Sequence, residues 1–170
     1  EDRLAGNWFG TGDTMKQGPY RAAADRQANP IDVKGAPQVF PVLPAEFTTD
    51  DGPHKMTYED ALAIVALFEK RGVDMSIDFD HASTDASAPP EARVAAGWIP
   101  CPGGLEARED GSVWAVSVNW DPKVAVWLTD DPPKYRYISP WYTYREDGGF
   151  AIPQRLVNIA LTNNPKTWGC

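Results

Sequence analysis

The chain contains only two histidines, so few of its side chains can act as a base near neutral pH. His81 ends the run Asp78-Phe79-Asp80-His81, with Asp85 four residues on. Nearby carboxylates favour the imidazolium and can orient the ring, which suits a general base. Read locally, a solvated or structural histidine competes with that role. The same acidic group invites a metal reading, but no second His or Cys cluster and no EF-hand pattern accompanies it, so no metal is expected. His54, in Asp51-Gly52-Pro53-His54-Lys55, has no companion ligand or nucleophile nearby and reads as a surface residue. Among the hydroxyls, Ser139 lies inside the aromatic run Tyr135-Arg136-Tyr137-Ile138-Ser139-Pro140-Trp141-Tyr142. A hydroxyl desolvated there needs a partner: the backbone of a neighbouring strand, or an imidazole that activates it. No G-x-S-x-G elbow is present, which removes the α/β-hydrolase reading. Cys101, between Pro100 and Pro102, reads as a turn residue. With Cys170 it is one of two cysteines, too few for a disulfide framework or a cysteine zinc site, and a reducing compartment fits.

The elements that must hold these groups are mostly β, because 16 prolines and 14 glycines leave room for few helices. Residues 1–36 show no sustained period and read as an irregular N-terminal arm. Pro37 to Pro44 reads as an edge strand interrupted by prolines. One helix is well specified. Thr57 with Asp60 resembles a capping box, Ala61, Ile64, Val65, Leu67 and Phe68 follow at helical spacing, and Gly72 comes after the basic Lys70-Arg71. Val73 to Phe79 alternates, placing Val73, Met75, Ile77 and Phe79 on the core face and Asp74, Ser76 and Asp78 on the other. Arg93 to Ile99 and Ser112 to Trp120 read as meander strands, and Asp121-Pro122 as the start of a short helix through Leu128. Tyr135 to Tyr144 and Leu156 to Leu161 are the closing strands, with Asp147-Gly148-Gly149 as a hairpin signal. Trp120, Trp127, Trp141 and Tyr142 serve core packing in preference to an oligomer face.

Length and composition fix the scale. At 170 residues, 42% of them hydrophobic, the chain builds one domain, residues 37–170. Its formal charge of −8 repels nucleic-acid phosphate and anionic lipid, so neither is an expected partner. No apolar run approaches the roughly 20 residues of a membrane-spanning helix, and the opening lacks a basic start followed by an apolar stretch. The start without Met and the end at Cys170 are expected of a fragment or trimmed product of a longer chain.

Four stretches, in order, resemble the Mu-like prophage I protein family, the head-maturation proteases of Mu-type tailed phages. They are Asp78-Phe79-Asp80-His81, Ala95-Ala96-Gly97-Trp98-Ile99, Tyr135 to Pro140, and Ala160-Leu161-Thr162-Asn163-Asn164-Pro165. Gly111 to Val116 followed by Asn119-Trp120 is similar to the family's central strand. The resemblance runs from about Phe40 to Pro165 and implies a mainly β, α+β fold: a closed antiparallel β-barrel flanked by helices, like herpesvirus assemblin. It implies His81 as base, Ser139 as nucleophile and Asn158 as the third member, at a position where related proteases carry an acid. Asp80 and Asp78 are the competing orienting acids, and Arg136, Arg145 and Arg155 the oxyanion candidates, each also readable as a surface or ion-pair residue. Ala82 departs from the glutamine the family usually shows after its histidine.

The function implied is that of a serine endopeptidase that cuts scaffold, coat protein and itself inside the prohead, in the cytoplasm of the bacterial host. It would need no cofactor and would be the protease part of a protease–scaffold precursor, with a homo-oligomer, such as a dimer, expected. The alternative is a noncatalytic capsid-assembly module that binds scaffold without cutting it. Asn158 in place of an acid favours that alternative.

Overall fold

Local signals decide the helices. In the computed structural model, which describes residues 16–19, 31–49 and 52–165, Thr57 caps the first helix with both bonds of the capping box, and left-handed Gly72 ends it. Asp121 caps the second by accepting from the backbone N–H groups of Lys123 and Val124. In chain order the elements are β1 (Lys16–Pro19), β2 (Ile31–Asp32), β3 (Phe40–Leu43), β4 (Glu46–Thr49), β5 (Gly52–Lys55), α1 (Tyr58–Arg71), β6 (Met75–Phe79), β7 (Gly97–Ile99), β8 (Leu105–Ala107), β9 (Val113–Ala115), β10 (Asn119–Trp120), α2 (Pro122–Thr129), β11 (Tyr137–Asp147) and β12 (Phe150–Thr162). β1 and β2 fall within the expected irregular arm, whose other residues up to 30 lie outside the described residues, as does Cys170.

The 13-residue β12 is the spine. A two-residue turn at Gly148-Gly149, both with positive φ, folds it antiparallel onto β11, while its other edge takes β5 and β6 in parallel. The main sheet continues β1-β11-β12-β6-β7-β10, and a second sheet is ordered β3-β9-β8. The closed barrel expected from the resemblance is not formed: among the described residues the main sheet is a curled half-barrel with two unjoined ends. One end is the outer edge of β11, occupied by β1 and β2. The other is β10, two residues long, which stops where Pro122 turns the chain into α2. The expected strand Ser112 to Trp120 divides between two sheets, β9 in the second and β10 in the main one.

Pro140 sits inside β11, an unusual place for a residue with no N–H to give a ladder. The pairing explains it. On the outer edge, β2 stops at Ile138 and β1 begins at Trp141, so no described strand pairs there with residues 139 and 140. Farther along, register shifts at 141/142 and 143/144 leave Val157 and Gln154 of β12 as the extra residues, and opposite them Tyr142, Thr143 and Tyr144 of β11 are all buried.

His54, expected at the surface, is instead buried. Strand β4 pairs Phe47 with His54, stacking the two rings 4.4 Å apart, and Tyr142 and Tyr144 meet the imidazole edge-on. Its Nδ1–H donates to the Gly52 carbonyl at 3.1 Å. Burial outweighs that bond and pushes the ring pKa down to about 4. In the unfolded chain the ring titrates near 6.5, so as pH falls below that value the unfolded state takes a proton that the folded state refuses. Stability is therefore lost between about pH 6.5 and 4, by about 2 kcal/mol at pH 5. Thermal melts at pH 7 and pH 5 test this: His54→Phe should flatten the difference, and an unchanged pH slope in that variant would refute the assignment.

Candidate active site

Two features of β6 and the turn after it build the site. Asp78 points to the face opposite Ile77, yet it is as fully buried as Ile77, contrary to the solvent-facing role its alternation suggests. Asp80 and His81 then adopt left-handed backbone, at φ 53° and 61°. Two consecutive non-glycine residues in that region cost energy and occur where the surroundings enforce them. Here they turn the chain so that His81 lies back over the sheet.

Strand register supplies the other residues. Ser139 on β11, Ala160 on β12 and Asp78 on β6 occupy one row across three neighbouring strands, and so share a face. In the adjacent row, two residues along, Trp141 pairs with Asn158. The His81 ring meets both members of that second row: Nδ1 bonds to Asn158 Oδ1, and the ring stands edge-on to Trp141 with centroids 5.3 Å apart. Two strand residues span about 7 Å, so the imidazole is held within one row of the Ser139 hydroxyl. Ala160, between Ser139 and Asp78, contributes only a methyl group to the floor beneath them.

The hydrogen bonds assign the proton on the ring. Asn158 Nδ2 donates to Asp78 Oδ2 at 3.3 Å and to Ser83 Oγ at 3.3 Å, which turns Oδ1 toward His81. An amide oxygen only accepts, so His81 Nδ1 carries the hydrogen and Nε2 the lone pair. Asp78 accepts in addition from the His81 N–H at 3.1 Å, the Ser83 N–H at 2.8 Å and the Ser83 hydroxyl. Ser139 is 1% exposed, and its Oγ has no hydrogen-bond partner among the described residues. A buried hydroxyl left unpaired costs stability, and such exceptions need a reason.

The sequence pattern of the Mu-like prophage I protein N-terminal domain matches residues 38–169. The chain belongs to the Mu-like prophage I protein family. Comparisons with curated proteins and with solved structures return no match. Membership gives this Mu-like prophage I domain a phage-related role. Among the described residues no helix is long and apolar enough to cross a membrane.

Within this family member the structure brings Ser139, His81, Asn158 and Asp78 to one face and leaves the other candidates elsewhere. Asp80 is exposed at the turn, without a described bond to His81. Arg136 is bound by Asp32 through Nε at 2.8 Å and Nη2 at 2.7 Å. Arg155 and Arg145 line a groove beside α1, with Leu67, Lys70 and Thr143. No described His, Cys, Asp and Glu residues group as a metal site. Sequence reading missed Ser83 as a site residue and placed Trp141 in general packing. A serine five residues after a strand aspartate is too common to stand out, and only the left-handed turn brings it back to Asp78.

Proposed function

We propose that the domain is a serine endopeptidase of phage head maturation, with Ser139 as nucleophile and His81 as general base. The observation that carries this reading is the buried Ser139 hydroxyl, without a hydrogen-bond partner among the described residues, on the face where His81 is held in the tautomer that bears its lone pair on Nε2. His81 Nε2 takes the hydroxyl proton as Ser139 Oγ bonds to the peptide carbonyl carbon. The imidazolium passes that proton to the leaving amine as the C–N bond breaks. Water then attacks the resulting ester with His81 again as base, releasing the new carboxyl end and restoring Ser139. Asn158 keeps the ring oriented but stabilises the imidazolium less than a carboxylate would. Scaffold protein, coat protein and the chain's own precursor inside the prohead, in the bacterial host, are the substrates that family membership favours, and a homo-oligomer is the assembly in keeping with it.

The noncatalytic assembly module remains the second reading, favoured by Asn158 where an acid is expected and by the enclosure of Ser139. A fluorophosphonate probe separates the two. Covalent labelling mapped to Ser139, lost in Ser139→Ala and slowed about 10²-fold or more in His81→Ala, supports the peptidase. Absence of label on the wild-type chain supports the binding module.

A further inference from the structure

We propose that Asp78 and Ser83 are positioning residues: they lock the Asn158 amide in the one orientation that makes His81 a base toward Ser139. The inference rests on the peptidase reading and deepens it.

Asparagine is ambiguous as the partner of a catalytic imidazole. Its two ends differ only in whether they donate or accept, and a half-turn of the amide would offer Nδ2 to His81. The ring would then have to accept at Nδ1 and carry its hydrogen on Nε2, the wrong form for taking a proton from Ser139. A carboxylate has no such failure, since both its oxygens accept. A protease with asparagine at this position therefore needs something that distinguishes the two ends of the amide.

Asp78 does so by charge. It lies wholly buried one row from Asn158, and its Oδ2 takes an Nδ2 hydrogen at 3.3 Å. The flipped amide would set Oδ1 against the carboxylate, with no hydrogen between two acceptors. Ser83 removes the remaining freedom. It donates its own hydroxyl hydrogen to Asp78 Oδ2, so toward Asn158 it can only accept, which again selects Nδ2. The His81 and Ser83 backbone N–H groups hold the carboxylate still. The negative charge that related enzymes place next to the imidazole is here displaced by one residue, behind a neutral amide.

A charge exchange tests this. Asp78→Asn removes the charge and puts a second donor into the cluster, which weakens the discrimination, and kcat should fall about 10²-fold, with KM little changed, as the wrong tautomer gains population. Adding Asn158→Asp restores an acceptor-only partner for His81, so the double variant should recover at least tenfold over Asp78→Asn. Its acidic limb in kcat/KM should move to higher pH, since a carboxylate now touches the ring.

A measurement independent of turnover uses melting temperature against pH. Asn158→Asp alone sets two carboxylates within hydrogen-bond reach, and His81 and Asp78 are the titratable groups contacting position 158 among the described residues. That pair must share a proton to stay folded, so the single variant should lose stability as pH rises from 5 to 8. Adding Asp78→Asn should abolish that slope even though it leaves one backbone N–H without its acceptor. Wild-type kcat in Asp78→Asn, or no recovery and no change of slope in the double variant, overturns the proposal. Inert proteins that still show the slope and its removal would sink the peptidase reading while leaving this geometry intact.

Discussion

Ser139→Ala is expected to abolish peptide-bond cleavage, by about 10³-fold or more, while leaving the melting temperature unchanged or raised. The two halves of this expectation come from the same atom. As nucleophile, Oγ supplies the electron pair that forms the acyl-enzyme, and alanine has none. As a buried group it has no hydrogen-bond partner among the described residues, so deleting it removes a desolvation cost and no described bond. A serine kept for structure predicts the reverse pattern: lost stability with intact cleavage. Co-expression with the phage scaffold protein, followed by gel analysis and a thermal melt of each variant, reads both quantities. Continued cleavage by Ser139→Ala removes it as nucleophile, and a melting point lowered by several degrees identifies a structural hydroxyl.

The second large effect lies away from the site, in the turn between β8 and β9. Gly111 has φ +99°, and a Cβ built on it would stand 2.3 Å from the Met56 carbonyl oxygen, directly before the Thr57 cap of α1. The three nearest atoms, from Met56 and Thr57, are all backbone, so no side chain can swing away. Gly111→Ala should cost about 3–5 kcal/mol, combining left-handed strain with a displaced helix start. For a domain of this size that is about 10 °C of melting temperature. Gly148→Ala is the matched control, since Gly148 also has positive φ but nothing within 4 Å of the added methyl. Equal melting points for the two variants would show that the second sheet is not seated on the helix start as described.

What was legible in the sequence was whatever short-range physics settles. The helix from Thr57 to Gly72 is written in its own caps, and the turn at Gly148-Gly149 in two residues that tolerate positive φ. Register is set by distant partners, and there the reading failed in identifiable ways. The first half of β12 was missed because Pro153 and Arg155 interrupt alternation and two register shifts reset it. Asp78 looked solvent-facing because a strand pattern cannot tell water from a second buried face. His54 looked exposed because Phe47 on β4 and Tyr142 and Tyr144 on β11, which enclose it, are remote from each other in the chain. The pairing of His81 with Asn158 came from the family resemblance and not from spacing, and the same resemblance led to a closed barrel that the short β10 does not complete.

The bond between His81 and Asn158 spans 77 positions, and the register that brings Ser139 beside Asp78 runs through Ala160. A growing polypeptide that has already emerged as far as Ser139 has its hydroxyl and its imidazole but not the strand whose Asn158 holds the ring on the face that Ser139 shares. The arrangement thus forms only once β12 has been made, late in the synthesis of the described domain. For the peptidase proposed above, chain order alone would keep a nascent polypeptide inert until its closing strand is laid down.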